Sequence, residues 1–121
     1  MAINKRALKY FQNGFNCAQA TLKAYQEEYG CENQDDIDAL FTAGRGRVEG
    51  GICGSLYAAK QVLKDEELAD LLHRSFVKYI GSAVCWEIRS VDKYSCHACV
   101  DLNCQLFQKI LETKCEMKPV Q

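Results

Sequence analysis

Apolar residues return every three or four positions through most of the chain, the spacing of one face of a helix. The first run carries Ala7, Leu8 and Phe11 inward, with Asn4 expected as its cap and Gly14 as its stop. From Asn16 to Tyr29 the stripe is Ala18, Leu22, Tyr25 and Tyr29, closed by Gly30. A short helix follows near Asp35 to Thr42, with Asp35, Asp36 and Asp38 at the end where the helix dipole favours negative charge. Ile52, Leu56, Ala59 and Leu63 mark a fourth helix to Lys64, and Leu68, Leu72, Phe76 and Ile80 a fifth that Asp65 opens and Gly81 ends. Ser82 to Arg89 reads as a short helix, and Ser95 caps a long last one reaching about Lys114. No stretch alternates apolar and polar residues for the length of a strand. The pattern therefore predicts an all-α, single-domain bundle of about five to seven helices spanning residues 1–121.

Composition narrows the function classes. With 48% apolar and 26% charged residues and a net charge of -1, the chain reads as globular, and nucleic acid is not expected as its partner. No apolar run approaches the ~20 residues of a membrane span, and none near the start resembles a secretory signal. The expected compartment is the cytoplasm.

Eight cysteines change the picture. In a reducing compartment they are poorly explained as a disulfide framework, and a domain of this length needs no such staples. Catalytic, redox-sensing or metal-ligating use is the better reading. Four fall where helices should begin: Cys17 after Asn16, Cys53 after Gly50-Gly51-Ile52, Cys85 after Ser82, and Cys96 after Ser95. Helix starts collect unpaired N–H groups and positive potential, so each position is expected to lower the thiol pKa and favour the thiolate. Cys96 and Cys99 form a CxxC pair whose sulfurs, three residues apart, share one helix face. Cys31, Cys104 and Cys115 read as accessory.

Other candidates are weaker. His97, one residue from Cys96, points to another face and reads as a surface residue; His73 lies mid-helix and is left outside the site. The loop from Gly44 to Gly51 matches neither a P-loop nor a dinucleotide fingerprint. Its expected role is to bring backbone close to Cys53, with Arg47 adding positive potential, so Arg47, Gly50 and Gly51 are the candidate cofactor-binding residues. Tyr25, Tyr29, Tyr57, Phe76, Trp86 and Phe107 fit core stripes, and Trp86, next to Cys85, is placed to shield sulfur from water.

The order of these motifs resembles a known family. Gly14-Phe15-Asn16-Cys17-Ala18-Gln19-Ala20, the glycine-rich run into Cys53-Gly54-Ser55-Leu56-Tyr57-Ala58, then Cys85 and Cys96 resemble the bacterial and archaeal C_GCAxxG_C_C family over roughly Phe11 to Leu111. The resemblance implies that Cys17, Cys53, Cys85 and Cys96, the last followed by Val100, are the family's four characteristic cysteines. Ser55 and Ala58 stand where relatives usually have alanine and glycine, which implies altered packing and not a lost site. Cys99 is an addition that relatives need not have. The resemblance also implies redox chemistry, since some members are selenoproteins; a fold similar to part of the iron–sulfur split-Soret cytochromes; and a functional link to a transporter, since members are often encoded near transporter genes.

Three functions compete. In the first, Cys17, Cys53, Cys85, Cys96 and Cys99 are catalytic and cycle between dithiol and disulfide with an unidentified redox partner. In the second, Cys17, Cys53, Cys85 and Cys96 ligate an iron–sulfur cluster or, less favoured, zinc. The third is a redox-sensing helical module, which predicts a large exposed apolar patch for a partner chain or for a homodimer.

Overall fold

A computed structural model describes residues 2–90 and 94–117. Among the described residues seven α-helices follow one another: α1 (Ile3–Gln12), α2 (Cys17–Tyr29), α3 (Gln34–Ala39), α4 (Gly54–Val62), α5 (Glu66–Ile80), α6 (Cys85–Ser90) and α7 (Cys96–Met117). The expected all-α bundle is therefore observed. No strand is present among the described residues; Ile52 and Val84 form one isolated antiparallel bridge. No helix among them is long and apolar enough to cross a membrane.

Local sequence explains most boundaries. Asn16 accepts from the Gln19 N–H at 2.8 Å while the Gln19 side chain accepts from the Asn16 N–H, a capping box worth about 1 kcal/mol. Gly30 ends α2 at φ 69°. Asp65 opens α5, Gly81 closes it, and Ser95 accepts from the Ala98 N–H at 3.1 Å to cap α7.

Several ends differ from expectation: α6 begins at Cys85 and not Ser82, α3 ends at Ala39 and not Thr42, and α7 runs to Met117; two starts differ for a visible reason. Ala2, not Asn4, precedes α1. Instead of a local cap, the first N–H, on Ile3, donates to Gln108 Oε1 on α7 at 2.7 Å, and Asn4 reaches Asp101 on α7 at 2.8 Å. Tertiary partners replaced the cap. At α4, Ile52 is extended and Cys53 is the residue before the helix, because Ile52 bridges Val84.

The main core joins α1, α2, α4, α5 and α7 around the fully buried Phe76, Phe107, Ile3, Leu56 and Leu72. Phe76 and Phe107 sit as their stripes predicted. Tyr25 packs on Phe107 with ring centroids 5.6 Å apart, whereas Tyr29 stacks on Tyr25 from the solvent side.

Candidate sulfur site

Each of the four predicted helix starts carries its cysteine at the boundary. Cys17, Cys85 and Cys96 are the first residues of α2, α6 and α7, and Cys53 immediately precedes α4. Folding brings these starts together. The Cys53 N–H donates to the Ala83 carbonyl at 2.8 Å, beside the Ile52–Val84 bridge, which pins the start of α4 to the start of α6. The Asn16 side chain donates to the carbonyls of Leu40 and Phe41, both at 2.9 Å, and so ties the turn that leads into the glycine-rich strap 44–51 to the start of α2.

One pocket results, lined by Cys17, Cys53, Cys85, Cys96 and Cys99, with Gly54, Ile88, Arg89 and Tyr94 completing its wall. The free space between them is about 10 Å³, room for at most one water molecule. Cys17, Cys53, Cys85 and Cys99 are buried, whereas Cys96 is partly exposed at the rim. Two glycines make the closure sterically possible. A Cβ on Gly54 would lie 2.7 Å from Cys17 Sγ and 2.8 Å from the Ala43 carbonyl oxygen. On Gly46, at φ 76°, it would meet Cys85 Cβ at 2.8 Å.

A family model described as "Putative redox-active protein (C_GCAxxG_C_C)" matches residues 15–113. The chain belongs to the C_GCAxxG_C_C family. No curated protein and no solved structure matches the chain.

Electrostatics inside this C_GCAxxG_C_C pocket reverses the expected pKa direction for Cys53 and Cys85, and raises Cys99 as well. Burial pushes the Cys53 thiol well up, neighbouring Cys17 and Cys99 add to the rise, and the backbone N–H groups of Leu56 and Ser55 offset only part of it. The helix start acts on Cys53 as anticipated, but desolvation is the larger effect. Cys99 is pushed up to about 12 by burial, then by Cys96, Cys85 and Cys17. Cys85 is also raised, by burial and then by Cys96 and Cys17, with Arg89 opposing. These couplings make the cluster one electrostatic unit in which ionising one thiol disfavours ionising the next.

Several assignments need correction. Arg47 is exposed and does not line the pocket; the arginine that does is Arg89. No spacing rule pointed to Arg89, although its place four residues after Cys85 on a helix would put both on one face. Gly50 and Gly51 lie in the strap outside the pocket lining, with φ of 81° and 67°; the close approaches fall at Gly46 and Gly54. Trp86 is 70% exposed and does not shield sulfur; Ile88, Arg89 and Tyr94 form the wall. His97 is exposed, as expected. His73 stands away from the site with Nδ1 2.9 Å from Lys60 Nζ.

Of the three accessory cysteines, Cys31 is exposed and Cys104 is buried outside the pocket. The Cys115 side chain lies outside the described residues. Cys104 donates weakly to Thr21 Oγ1 at 3.8 Å. Thr21 lies 2.6 Å from Ser55 Oγ, to which Asn103 donates at 2.8 Å. Ser55, at the position where the family resemblance implied alanine, thus anchors a buried polar network directly behind the sulfur pocket. Asn103 Oδ1 is left without a partner.

Thiolate sulfur is a suitable donor for zinc or for an iron–sulfur cluster. Among the described residues, however, no three Cys, His, Asp or Glu side chains stand where they could share a metal ion, and about 10 Å³ leaves no room for a cluster. As placed, the residues do not fit such a group.

Proposed function

We propose that the protein is a thiol redox protein in which pairs drawn from Cys17, Cys53, Cys85, Cys96 and Cys99 pass between dithiol and disulfide. The single observation that carries this reading is the shared pocket: five thiols from four helix starts, with almost nothing between them. Thiols gathered this way can pass a disulfide among themselves by exchange, once a disulfide substrate has accepted two electrons from one pair. The raised pKa of Cys53, Cys85 and Cys99 keeps those three as thiols at neutral pH. They are protected from adventitious oxidation and react when a neighbour has become electrophilic.

Defined ratios of reduced to oxidised glutathione test this. The full chain should lose thiols reversibly, in pairs, as the buffer becomes oxidising, with the lost thiols confined to the five pocket positions. A thiol count that does not change across the buffer range overturns the proposal.

A further inference from the structure

We infer that Cys96 is the attacking thiol of this site, that Cys99 resolves it, and that the substrate is a disulfide carried on a peptide segment of another protein. This inference rests on the thiol redox reading above. Attack requires access, and of the five pocket cysteines only Cys96 is more than marginally exposed. The remaining four are 3–8% exposed. With room for one water, the pocket cannot admit a substrate disulfide, so contact is made at the rim.

The rim is continuous with a second concavity. Ile88 and Tyr94 wall both the sulfur pocket and a groove of about 540 Å³ that also contains Ile80, Ser82, Trp86 and Glu87. Trp86 is 70% and Tyr79, on α5, 59% exposed; Tyr94, just before α7, donates to the Tyr79 carbonyl at 3.3 Å. Exposed aromatics beside a groove are the residues that anchor peptide side chains in protein interfaces. An apolar or aromatic residue next to the substrate cysteine would seat there and bring its disulfide to Cys96.

Cys99 is the resolver because it shares a face of the same helix. Cβ atoms three residues apart on a helix lie about 5–6 Å apart, against ~4 Å in a disulfide. The first turn of α7 can close that gap, since its first backbone bond is the Cys99 N–H to the Ser95 carbonyl, at 3.0 Å.

The Cys96 thiolate attacks one sulfur of the peptide disulfide, that S–S bond breaks, and the other peptide sulfur leaves as a thiolate that takes up a proton. Cys99 then gives its proton to solvent and attacks the Cys96 sulfur of the mixed disulfide. A Cys96–Cys99 disulfide forms, and the second peptide sulfur departs and is protonated. Two electrons pass from the dithiol to the peptide, which ends as two thiols. Burial raises the Cys99 thiol pKa, so the second step should accelerate as pH rises.

The test uses the reduced full chain and a biotinylated peptide cyclised by one disulfide with a flanking tryptophan. Cys99→Ser should accumulate the mixed disulfide at least ~10-fold over the native chain, with the adduct mapping to Cys96, and Cys96→Ser should form none. Circular dichroism confirms that both variants fold. Trp86→Ala should slow the peptide reaction while leaving the reaction with oxidised glutathione unchanged; equal slowing of both overturns the peptide assignment. Adduct formed in Cys96→Ser at another pocket cysteine, or accumulation in Cys85→Ser instead of Cys99→Ser, overturns the order of thiols but leaves the redox reading standing. If the native chain neither reacts with the peptide nor loses thiols in glutathione buffer, the redox reading itself fails.

Discussion

The apolar core around Phe76 and Phe107 and the sulfur pocket adjoin within one buried cluster, yet they are held closed in different ways. Around Phe76 and Phe107 the α1, α2, α5 and α7 stripes interlock by shape, and each residue is there because it is apolar. At the other site the packing is done by thiols, two glycines and a bridge between helix starts. Burial in the first region stabilises the fold. In the second the same burial holds thiols in their neutral form and leaves a single sulfur at the surface. The comparison teaches that desolvation, more than helix-start potential, sets thiol character here.

Substitutions can separate the two regions. The largest effect is expected from Phe107→Ala, which opens a cavity in the apolar core and should cost about 3–5 kcal/mol. Denaturant unfolding measures that loss, while the alkylation rate of Cys96 in the folded protein should stay unchanged. If it rises with the substitution, the two regions are not separate.

Gly54→Ala probes the pocket. On an ordinary helix, alanine would gain about 1 kcal/mol over glycine. Here the new methyl meets Cys17 Sγ and the Ala43 carbonyl, and overpacking should turn the gain into a net loss of roughly 1–3 kcal/mol. Unlike Phe107→Ala, it should also change the alkylation rate of Cys17. A stabilised variant would show that the strap is loosely seated.

The buried network behind the pocket should contribute less. Ser55→Ala removes the hydroxyl shared by Thr21 and Asn103 and should cost about 1–2 kcal/mol by stranding the Asn103 amide. Combined with Asn103→Leu, which also deletes the unpartnered Oδ1, it should cost less than the sum of the two single changes. A double-mutant cycle reads the coupling; additive costs would show that the network is not cooperative.

The smallest effect at neutral pH is that of thiol ionisation, which grows only in alkali. Cys99 and Cys104 have folded pKa values of about 12 against an ordinary 9.0. Below pH 9 both states hold the protons and the stabilisation is complete. Between about 9 and 12 the unfolded chain ionises first, so stability falls as pH rises. Chemical denaturation at stepped pH checks this, and Cys104→Ala should flatten the fall without altering the pocket thiols.

Much of this was readable before folding. Helical period gave α2 and α5 nearly to the residue, and the asparagine and serine caps placed Cys17 and Cys96 at their helix starts. What could not be read depended on contacts between distant segments. Asn4 was expected to cap because nothing local shows that Gln108 would satisfy α1. Trp86 was assigned to sulfur by adjacency, but on a helix the next residue turns about 100° away and here faces solvent. Arg47 stands near Cys53 in the chain, whereas Arg89 reaches the pocket only through the fold. The pKa direction was missed because sequence shows a helix start but not how completely it is covered.

The central claim is that five cysteines share one reactive site while the others do not. Mild oxidation of the full chain followed by mapping of disulfides under non-reducing digestion tests it most directly. The expected bonds join only Cys17, Cys53, Cys85, Cys96 and Cys99, with Cys31 and Cys104 recovered as free thiols. Disulfides that pair a pocket cysteine with Cys31 or Cys104 in the folded monomer, or no intramolecular disulfide at all, would contradict it.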